Sequence, residues 1–323
     1  MSALFVVDPL CAVDPEIDSN VGLMAAVDAM QEAVWVCEPQ DLALVEGRLW
    51  AACRRITLRE RARRGDHRWT VQSPWFDEVE RRVLDVADEI EVVLLRLDPP
   101  VDPRYLRTTY LLDVAADAGV RVVNRPQGVR AVQEKLFALR YPDLCPPTLV
   151  SADPGDVLAF VEAHGATVVK PVDGFAGIDV WLLHRSDPNL TSLVESATRG
   201  ARHVVAQQFL PSVAEGNKRL FVLDGEIIGA VDRLPAVRDF RIGPPAAAVE
   251  ISERDRVIVS RLAPDLAHHG IALSGLDVID GLLIEINVTC PGGMHKTDAL
   301  LGTDLSGAVM RRLLHHSTDW VLT

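Results

Sequence analysis

The stretch from Ser274 to Gly293, SGLDVIDGLLIEINVTCPGG, constrains the fold of this chain more than any other. Two apolar runs flank the dipeptide Asp280-Gly281, and this pattern predicts a β-hairpin. Glu285 and Asn287 are two residues apart on the second strand, so their side chains face the same side of the hairpin.

The position of Asp277 depends on the length of this turn. A three-residue loop, Asp280-Gly281-Leu282 with a bulge, pairs Asp277 with Glu285 on one face, whereas a strict two-residue turn puts the two carboxylates on opposite faces. Two carboxylates and an amide on an apolar hairpin suit a hard cation such as Mg²⁺, which binds through a few carboxylates plus substrate phosphates. The alternative is an edge hairpin whose polar side chains face water.

Composition and charge limit the class of protein. A chain of 323 residues with 48% apolar and 24% charged residues has the composition of a globular protein and is long enough for two or more domains. The net charge of −13 argues against a nucleic-acid or anionic-membrane partner, because phosphate charge repels it. The five scattered cysteines form no CxxC pair and indicate free thiols in a reducing cytoplasm. With no apolar run long enough to span a bilayer, a soluble cytoplasmic protein is predicted.

The first 125 residues predict a domain of alternating strands and helices. Asp18-Ser19-Asn20 offers the capping chemistry of a helix start. Arg96 and Asp98 follow a strand, at the place where open α/β sheets bind ligands. The segment from Arg54 to Arg68 holds seven arginines and predicts a solvated loop or hairpin rather than an anion-binding flap. The predicted strands are Ala3–Val7, Val34–Cys37, Glu91–Leu95 and Arg121–Val123, and the predicted helices follow Asp18 and span Phe76–Ile90 and Tyr105–Ala118.

From Pro126 onward the pattern changes to short strands, hairpins and longer loops. Lys170 ends a strand and enters a glycine-bearing turn, residues 171–177, whose N–H groups suit phosphate; this segment is named the flap. Residues 236–248, rich in glycine, proline and alanine, predict a mobile loop, named the lid loop. The predicted helices are Gly128–Arg140, Asp153–His164, Glu253–His269 and Leu305–His315, and the predicted strands are Thr148–Val150, Thr167–Lys170, Asp179–Leu183, Val204–Leu210 and those of a hairpin turning at Asp224-Gly225.

The order of these motifs resembles that of the ATP-grasp enzymes, and closely that of the bacterial glutathione synthetases. The similar runs cover nearly the whole chain. They are Val7-Asp8-Pro9, Asp18-Ser19, Leu95 to Pro100, Asn124 to Pro126, Glu134 to Phe137, Lys170 to Gly174, Asp187 to Leu190, Gln207 to Pro211, Lys218-Arg219 with Asp224 to Glu226, and Gly275 to Asp277 with Glu285 to Thr289.

The resemblance implies an α/β fold of the ATP-grasp type. Residues 1–125 would form a Rossmann-like, parallel-sheet domain that binds substrate. Residues 126–206 would form the lid subdomain and residues 207–323 the catalytic subdomain. It also implies ATP and Mg²⁺ as cofactors, with Mn²⁺ as a possible substitute, and a homodimer or homotetramer that acts on small molecules.

Site residues follow from the resemblance position by position. Lys135 and Lys170 would hold ATP phosphates, and Arg219 and Arg233 would stabilise the transferred phosphoryl group. The flap residues Asp173, Gly174 and Gly177 would close over the phosphates. The implied adenine and ribose contacts are Gln207, Gln208, Phe209, Leu210, Asn217 and Lys218, the implied Mg²⁺ ligands are Asp277, Glu285 and Asn287, and the implied substrate contacts are Asp18, Ser19, Arg96, Asp98 and Cys290.

The implied reaction is ATP-dependent ligation of a carboxylate to an amine through an acyl phosphate. Arg96 would orient an acceptor carboxylate through its bidentate guanidinium. The simplest substrates are γ-glutamylcysteine and glycine. Alternatives are the same chemistry on another carboxylate and amine, including intramolecular ring closure, and a nucleotide-binding regulator that has lost catalysis.

Several positions depart from the family pattern, mostly on the substrate side. Arg238 to Ala247 stands where the family carries E-T-R-G-N-L-A-A-G-G, and Cys290-Pro291-Gly292 replaces S-P-T. Leu97 replaces a lysine, Ala176 a flap glycine and Asn217 an aspartate. Because the ATP-binding and metal-binding positions are kept, these departures favour a ligase with altered substrate specificity.

Overall fold

The computed structural model describes residues 1–65, 67–237 and 239–315. Asp66 of the arginine-rich segment, Arg238 of the lid loop and residues 316–323 lie outside the described part. The strands are β1 (Ser2–Val7), β2 (Ala33–Cys37), β3 (Leu42–Val45), β4 (Arg48–Leu58), β5 (Arg61–Arg63), β6 (Trp69–Val71), β7 (Phe76–Asp85), β8 (Val92–Arg96), β9 (Arg121–Val123), β10 (Thr148–Ser151), β11 (Ala166–Pro171), β12 (Trp181–His184), β13 (Val204–Gln208), β14 (Asn217–Leu223), β15 (Glu226–Arg233), β16 (Pro245–Ala248), β17 (Leu273–Ile279) and β18 (Leu282–Asn287). The helices are α1 (Ser19–Ala29), α2 (Val86–Glu89), α3 (Pro103–Asp117), α4 (Pro126–Ala131), α5 (Pro154–His164), α6 (Leu190–Ala197), α7 (Glu253–His268), α8 (Met294–Leu301) and α9 (Leu305–His315).

The amino-terminal sheet has a parallel centre. β1 pairs in parallel with β2 and β8, and β8 pairs in parallel with β9. All six residues of β1 are buried, as the apolar run Ala3–Val7 predicts for a strand covered on both faces. Asp18 caps α1 by accepting the Asn20 N–H at 2.7 Å. The predicted parallel strands are confirmed, and they bring the carboxyl ends of β1 and β8 to one edge of the sheet. The remaining strands are antiparallel: β4 pairs with β2, and β3 and β7 pair with β4.

The predicted helix Phe76–Ile90 is wrong. Residues Phe76–Asp85 form strand β7, and only the single turn α2 is helical. β7 pairs antiparallel with the long strand β4, which satisfies its backbone hydrogen bonds, and its apolar residues Val79 and Val83 are exposed. Pairing with a distant strand therefore outweighs the local periodicity.

The predicted helix Gly128–Arg140 is interrupted. α4 ends at Ala131, and a short 3₁₀ turn covers only Phe137–Arg140. The side chain of Gln133 accepts the N–H groups of Lys135 and Leu136, both at 2.8 Å, and so competes with helical bonding. The carbonyl of Glu134 accepts the Ile286 N–H at 2.9 Å, which ties this segment to β18.

Two antiparallel sheets follow. One has the order β10-β13-β11-β12, with α5 and α6 packed against it. The other has the order β16-β15-β14-β17-β18. β16 corrects the prediction that residues 236–248 are loop throughout, because Pro245–Ala248 pair with β15.

The domain division at residues 125/126 and 206/207 stays a proposal: β9 ends at Val123, just before the first boundary, whereas the second boundary falls inside β13 (Val204–Gln208). The Asn124 side chain crosses the first boundary: it donates to the carbonyls of Leu273 and Val288 at 2.6 and 2.7 Å and accepts the Leu273 N–H at 2.8 Å. Among the described residues, no helix combines the length and the apolar character that crossing a membrane requires.

Candidate active site

A cavity of about 480 Å³ lies where the two antiparallel sheets face each other. Most of the predicted nucleotide and metal residues line it. These are Lys135, Lys170, Gly174, Gly177, Gln207, Gln208, Phe209, Leu210, Arg219, Arg233, Asp277, Glu285 and Asn287, together with Asp98 and Cys290 from the predicted substrate set.

The β17–β18 hairpin combines the two arrangements considered from the sequence. Its turn has only two residues, Asp280 and Gly281, both with positive φ (50° and 70°). Val278 pairs with Leu283 but Asp277 pairs with Glu285, so Ile284 is the extra residue of a bulge. The bulge, and not a longer loop, brings the two carboxylates to the same face.

Asp277 is the centre of a buried charge cluster. Arg219 donates to it through two nitrogens, Nε to Oδ1 at 2.6 Å and Nη2 to Oδ2 at 3.2 Å, and Arg233 donates to Oδ1 as well. Burial alone would raise the pKa of Asp277, but the two guanidinium groups outweigh burial and hold that pKa well below its usual value. Asp277 is therefore ionised at any physiological pH.

The hairpin face offers oxygen donors suited to a divalent cation. Within residues 1–65, 67–237 and 239–315, no three His, Cys, Asp or Glu side chains form a metal cluster of their own. Glu285 and Asn287 line the cavity beside Asp277, and the Asn287 amide nitrogen donates to the Gly275 carbonyl at 3.1 Å, while no described residue donates to the Asn287 side-chain oxygen. Two carboxylates and one amide fit a hard cation whose remaining ligands come from phosphate oxygens.

Two lysines bring positive charge to the same cavity. Lys170 is buried, and its Nζ lies 3.8 Å from the Glu285 carboxylate. Burial lowers the pKa of Lys170, and Glu285 opposes that effect. The Lys135 Nζ donates to the Gly174 carbonyl, so this lysine connects the cavity wall to the flap. Both ammonium groups are placed to attract an anionic ligand.

The lid loop contacts the flap. The Arg241 Nη1 donates to the Gly177 carbonyl at 3.2 Å, and Arg241 also pairs with Asp239. In the flap, Ala176 has a φ of 51°, a conformation that glycine adopts without strain. Ala176 of the flap and Arg241 of the lid loop, both at positions that depart from the family pattern, therefore line the cavity.

Three predicted nucleotide contacts lie outside the residues that line this cavity. Asp173 is exposed. The Asn217 Oδ1 accepts hydrogen bonds from both Nε and Nη2 of Arg233, so Asn217 orients the guanidinium group of that arginine. Lys218 pairs with Asp255 at 2.6 Å and donates to the Glu250 carbonyl. Gln207 does line the cavity, although its amide donates to Thr148 at 2.9 Å.

The predicted substrate residues lie around two smaller cavities of about 360 and 310 Å³, both of which share Asp98 with the large one. Ser19 accepts the Met294 N–H at 3.1 Å. Arg96 is buried and donates through Nε to Asn20 at 2.7 Å and through Nη2 to the Pro291 carbonyl at 3.2 Å. The bidentate edge of Arg96 is thus engaged by the protein itself.

Sequence reasoning missed the role of Glu134. Its Oε1 accepts the N–H groups of Val288 and Thr289 at 2.8 and 3.0 Å and the Thr289 hydroxyl at 2.9 Å. Burial raises the pKa of Glu134, and these hydrogen bonds oppose the rise. The only sequence signal was its position before Lys135, which does not indicate a contact with a segment 154 residues away.

Comparison with known proteins identifies the family. Residues 1–130 match the model of the N-terminal domain of prokaryotic glutathione synthetase, and residues 134–302 match the model of its ATP-grasp domain. The chain belongs to the prokaryotic glutathione synthetase family. It is 40% identical to the glutathione synthetase of Thermosynechococcus vestitus, covering 96% of this chain and 98% of that one, and 38% identical to that of Nostoc sp., covering 99% and 98%.

The fold of this family member matches that of a solved ligase. The ATP-grasp ligase PsnB, complexed with the precursor peptide PsnA2 and AMPPNP, aligns with a TM-score of 0.63 at 20% identity, covering 98% of this chain and 97% of that one. The family, fold and enzyme class predicted from the sequence are confirmed: the protein is an ATP-dependent carbon–nitrogen ligase of the ATP-grasp fold. The family uses ATP and a divalent metal.

Proposed function

We propose that this ligase forms an amide bond between a small carboxylate and an amine, with Mg²⁺ as its divalent cation. A carboxylate oxygen attacks the γ-phosphorus of ATP, which releases ADP and forms an acyl phosphate. The amine nitrogen then attacks the acyl carbon, inorganic phosphate leaves, and the nitrogen loses a proton. The simplest substrates, expected from the family resemblance, are γ-glutamylcysteine and glycine.

One contact supports this proposal more than any other: Arg219 bridges the nucleotide half and the substrate half of the site. Its Nε and Nη2 bind Asp277, and its Nη1 donates to the Gly292 carbonyl at 3.1 Å. Gly292 belongs to the segment that starts at Cys290 and borders both the large cavity and a smaller one. A guanidinium at this junction is suited to stabilise a phosphoryl group in transfer between ATP and a carboxylate.

The remaining roles follow from charge and position. Lys135 and Lys170 would hold phosphate oxygens as point charges, and Arg233 would act with Arg219. Asp277, Glu285 and Asn287 would hold Mg²⁺, which supplies positive charge to the phosphates when bound. No side chain needs to form a covalent bond to substrate, so catalysis rests on positioning and electrostatics. The adenine would contact residues 207–210, and the carboxylate and amine substrates would contact Asp18, Ser19, Arg96, Asp98 and Cys290.

A different carboxylate is the second candidate. Arg241, Ile242 and Gly243 of the lid loop line the large cavity together with Cys290 and Gly292, and all five lie at positions where the chain departs from the family pattern. Substitutions in the residues that line a substrate pocket change which substrates the enzyme accepts more readily than they change the reaction that the enzyme catalyses. The same ligation on another acid and amine is therefore kept beside the simplest pair.

The deciding experiment measures ADP formation by the purified protein with Mg-ATP and γ-glutamylcysteine plus glycine, beside a panel of other acids and amines. Turnover that requires both peptide and glycine supports the simplest pair, and mass spectrometry of the product identifies the bond formed. Turnover only with another pair supports the second candidate. ATP binding without ADP formation from any pair would contradict the proposed function.

We further propose a homo-oligomer that acts on small molecules in the cytoplasm. The free state of the five cysteines, of which Cys37, Cys53 and Cys145 are buried, is compatible with a reducing compartment. Light scattering coupled to size-exclusion chromatography measures the oligomeric state directly.

A further inference from the structure

The arginine-rich segment of the sequence forms a structure that reaches the catalytic half of the chain. β5 and β6 pair antiparallel, with Arg61 opposite Val71 and Arg63 opposite Trp69. This pair, named here the β5–β6 ribbon, leaves the amino-terminal sheet between β4 and β7 and contacts α8. The sequence therefore predicted the hairpin correctly but did not predict that the hairpin contacts α8.

The first contact joins Trp69 to His295 near the start of α8. The two rings stack with their centroids 5.1 Å apart and an interplanar angle of 11°. The Trp69 Nε1 donates to the His295 carbonyl at 2.8 Å. On the ribbon itself, the Arg61 guanidinium lies 4.7 Å from the centroid of the Trp69 ring. His295 is completely buried, so this contact is part of the packed interior.

The second contact joins Arg63 to the end of α8. The Arg63 Nε donates to the Ala299 carbonyl, and Nη2 donates to the Leu300 carbonyl at 3.0 Å. The last carbonyls of a helix lack hydrogen-bond donors within the helix and carry partial negative charge. A guanidinium group there supplies both the donors and the opposite charge. The ribbon thus holds α8 near both of its ends.

The start of α8 is also the end of the substrate-side segment, residues 290–293, named here the donor loop. The Pro291 carbonyl accepts Arg96, and the Gly292 carbonyl accepts Arg219 at 3.1 Å. Gly293 has a φ of 99° and leads directly into Met294, the first residue of α8. No flexible linker separates the helix from the loop, so a displacement of α8 displaces the donor loop.

We propose that Trp69 and Arg63 are positioning residues for the donor loop. The β5–β6 ribbon fixes α8, and α8 fixes the carbonyls of Pro291 and Gly292 against Arg96 and Arg219. The inference rests on the proposed function in one respect, that the donor loop faces the acyl donor. Neither residue touches the cavities around the reacting groups, so their effect on catalysis is through α8 alone.

The test compares Trp69→Ala and Arg63→Met with wild type. We expect kcat/KM for the acyl donor to fall on the order of tenfold in each variant, since small misplacements of substrate-positioning groups are costly. KM for ATP should stay unchanged, because no hydrogen bond or ion pair between described residues joins the ribbon to Lys135, Lys170 or the β17–β18 hairpin. Trp69→Phe keeps a stacking ring but loses the Nε1 donor, and should recover part of the loss.

Arg59→Met is the matched control. It removes an arginine from the same segment, but Arg59 pairs with Asp77 of β7 and not with α8. This variant should keep the wild-type KM for both substrates. If it reproduced the loss seen for Arg63→Met, the effect would belong to the general charge of the segment and the proposal would be overturned.

A measurement that needs no substrate separates this inference from the proposed function. Amide hydrogen exchange in residues 290–301 should speed up in Trp69→Ala and Arg63→Met, while exchange in β14 and β17 stays unchanged. If wild type turned over no substrate, faster exchange confined to this stretch would still support the ribbon's role. Unchanged exchange in both Trp69→Ala and Arg63→Met, or a uniform increase across the chain, would overturn it.

Discussion

Arg219 and Asp277 face each other on neighbouring strands and form a buried ion pair with two hydrogen bonds. Arg233, on the next strand, donates to the same carboxylate. One negative charge therefore faces two guanidinium groups, of which Arg219 is buried and Arg233 is partly exposed to the cavity. Such a cluster tolerates an anionic ligand well and the loss of its carboxylate poorly.

Asp277→Asn is expected to lower the free energy of unfolding by about 3–5 kcal/mol, because it leaves the buried Arg219 and the partly buried Arg233 without the carboxylate that pairs with both. Urea unfolding at pH 7.5 measures the loss. The variant should also lose ADP formation, since both proposed catalytic arginines lose the group that orients them.

Asp304→Asn is the control for this change. Asp304 pairs with Arg311 on the surface, and both side chains are more than half exposed (67% and 54%). The loss of such a pair costs less than about 1 kcal/mol. If the two variants were destabilised equally, Asp277 would not be the centre of a buried charge cluster.

Glu285→Gln should lower kcat about 100-fold or more while the fold remains intact, because the change removes a proposed Mg²⁺ ligand that is partly exposed to the cavity. A steady-state titration with Mg²⁺ at saturating ATP should show that the variant needs a higher concentration than wild type. Glu226→Gln, at an exposed glutamate paired with Arg312, should leave the titration unchanged. A Glu285→Gln enzyme with wild-type kcat and Mg²⁺ dependence would exclude Glu285 as a ligand.

The sequence predicted those parts of the fold whose signals are local. The unbroken apolar run of β1 and the capping Asp18 of α1 each depend on a few neighbouring residues. β7 was mistaken for a helix because its pairing with β4, and not its own periodicity, determines its structure. The same limit applies to Glu134, whose partners Val288 and Thr289 are far away in the chain.

In the site, too, the sequence predicted the features that depend on neighbouring residues and not those that depend on long-range pairing. The spacing of Glu285 and Asn287 predicted a shared face, since alternation along a strand is local. The sequence left the face of Asp277 open, because the position of a bulge depends on how two strands pair, and here the extra residue is Ile284. Asn217 matches the family's ribose-side position, yet it contacts Arg233 from outside the cavity.

Cys290 should be unreactive towards thiol reagents at neutral pH. Burial raises the pKa of its thiol above the ordinary value, so the reactive thiolate is scarce. Brief treatment with iodoacetamide at pH 7.5 should label the exposed Cys11 first, as peptide mass spectrometry will measure, and leave ADP formation intact. A Cys11→Ser variant shows how much labelling remains elsewhere. Loss of activity in step with labelling of Cys290 would give this thiol a direct role.

His295 should make the protein less stable as the pH falls below about 6.5. Burial, with a further contribution from the Arg61 charge, lowers the pKa of this histidine from 6.5 to about 3, while the Pro15 carbonyl opposes the shift. Between these values the unfolded chain binds a proton that the folded chain does not, so unfolding becomes more favourable with each step in acidity. This group alone should remove about 1.4 kcal/mol of stability per pH unit below 6.5.

Urea unfolding at pH 7.5, 6.0 and 5.0 measures this dependence in wild type and in His295→Phe, which keeps an aromatic ring against Trp69 but cannot bind a proton. The free energy of unfolding should fall less steeply with acidity in the variant, even if the variant is less stable at pH 7.5. His184→Gln, at an exposed histidine, controls for the loss of a histidine as such. Parallel curves for wild type and His295→Phe would mean that the buried imidazole takes up its proton in the folded state, and that the Trp69–His295 contact is open to water.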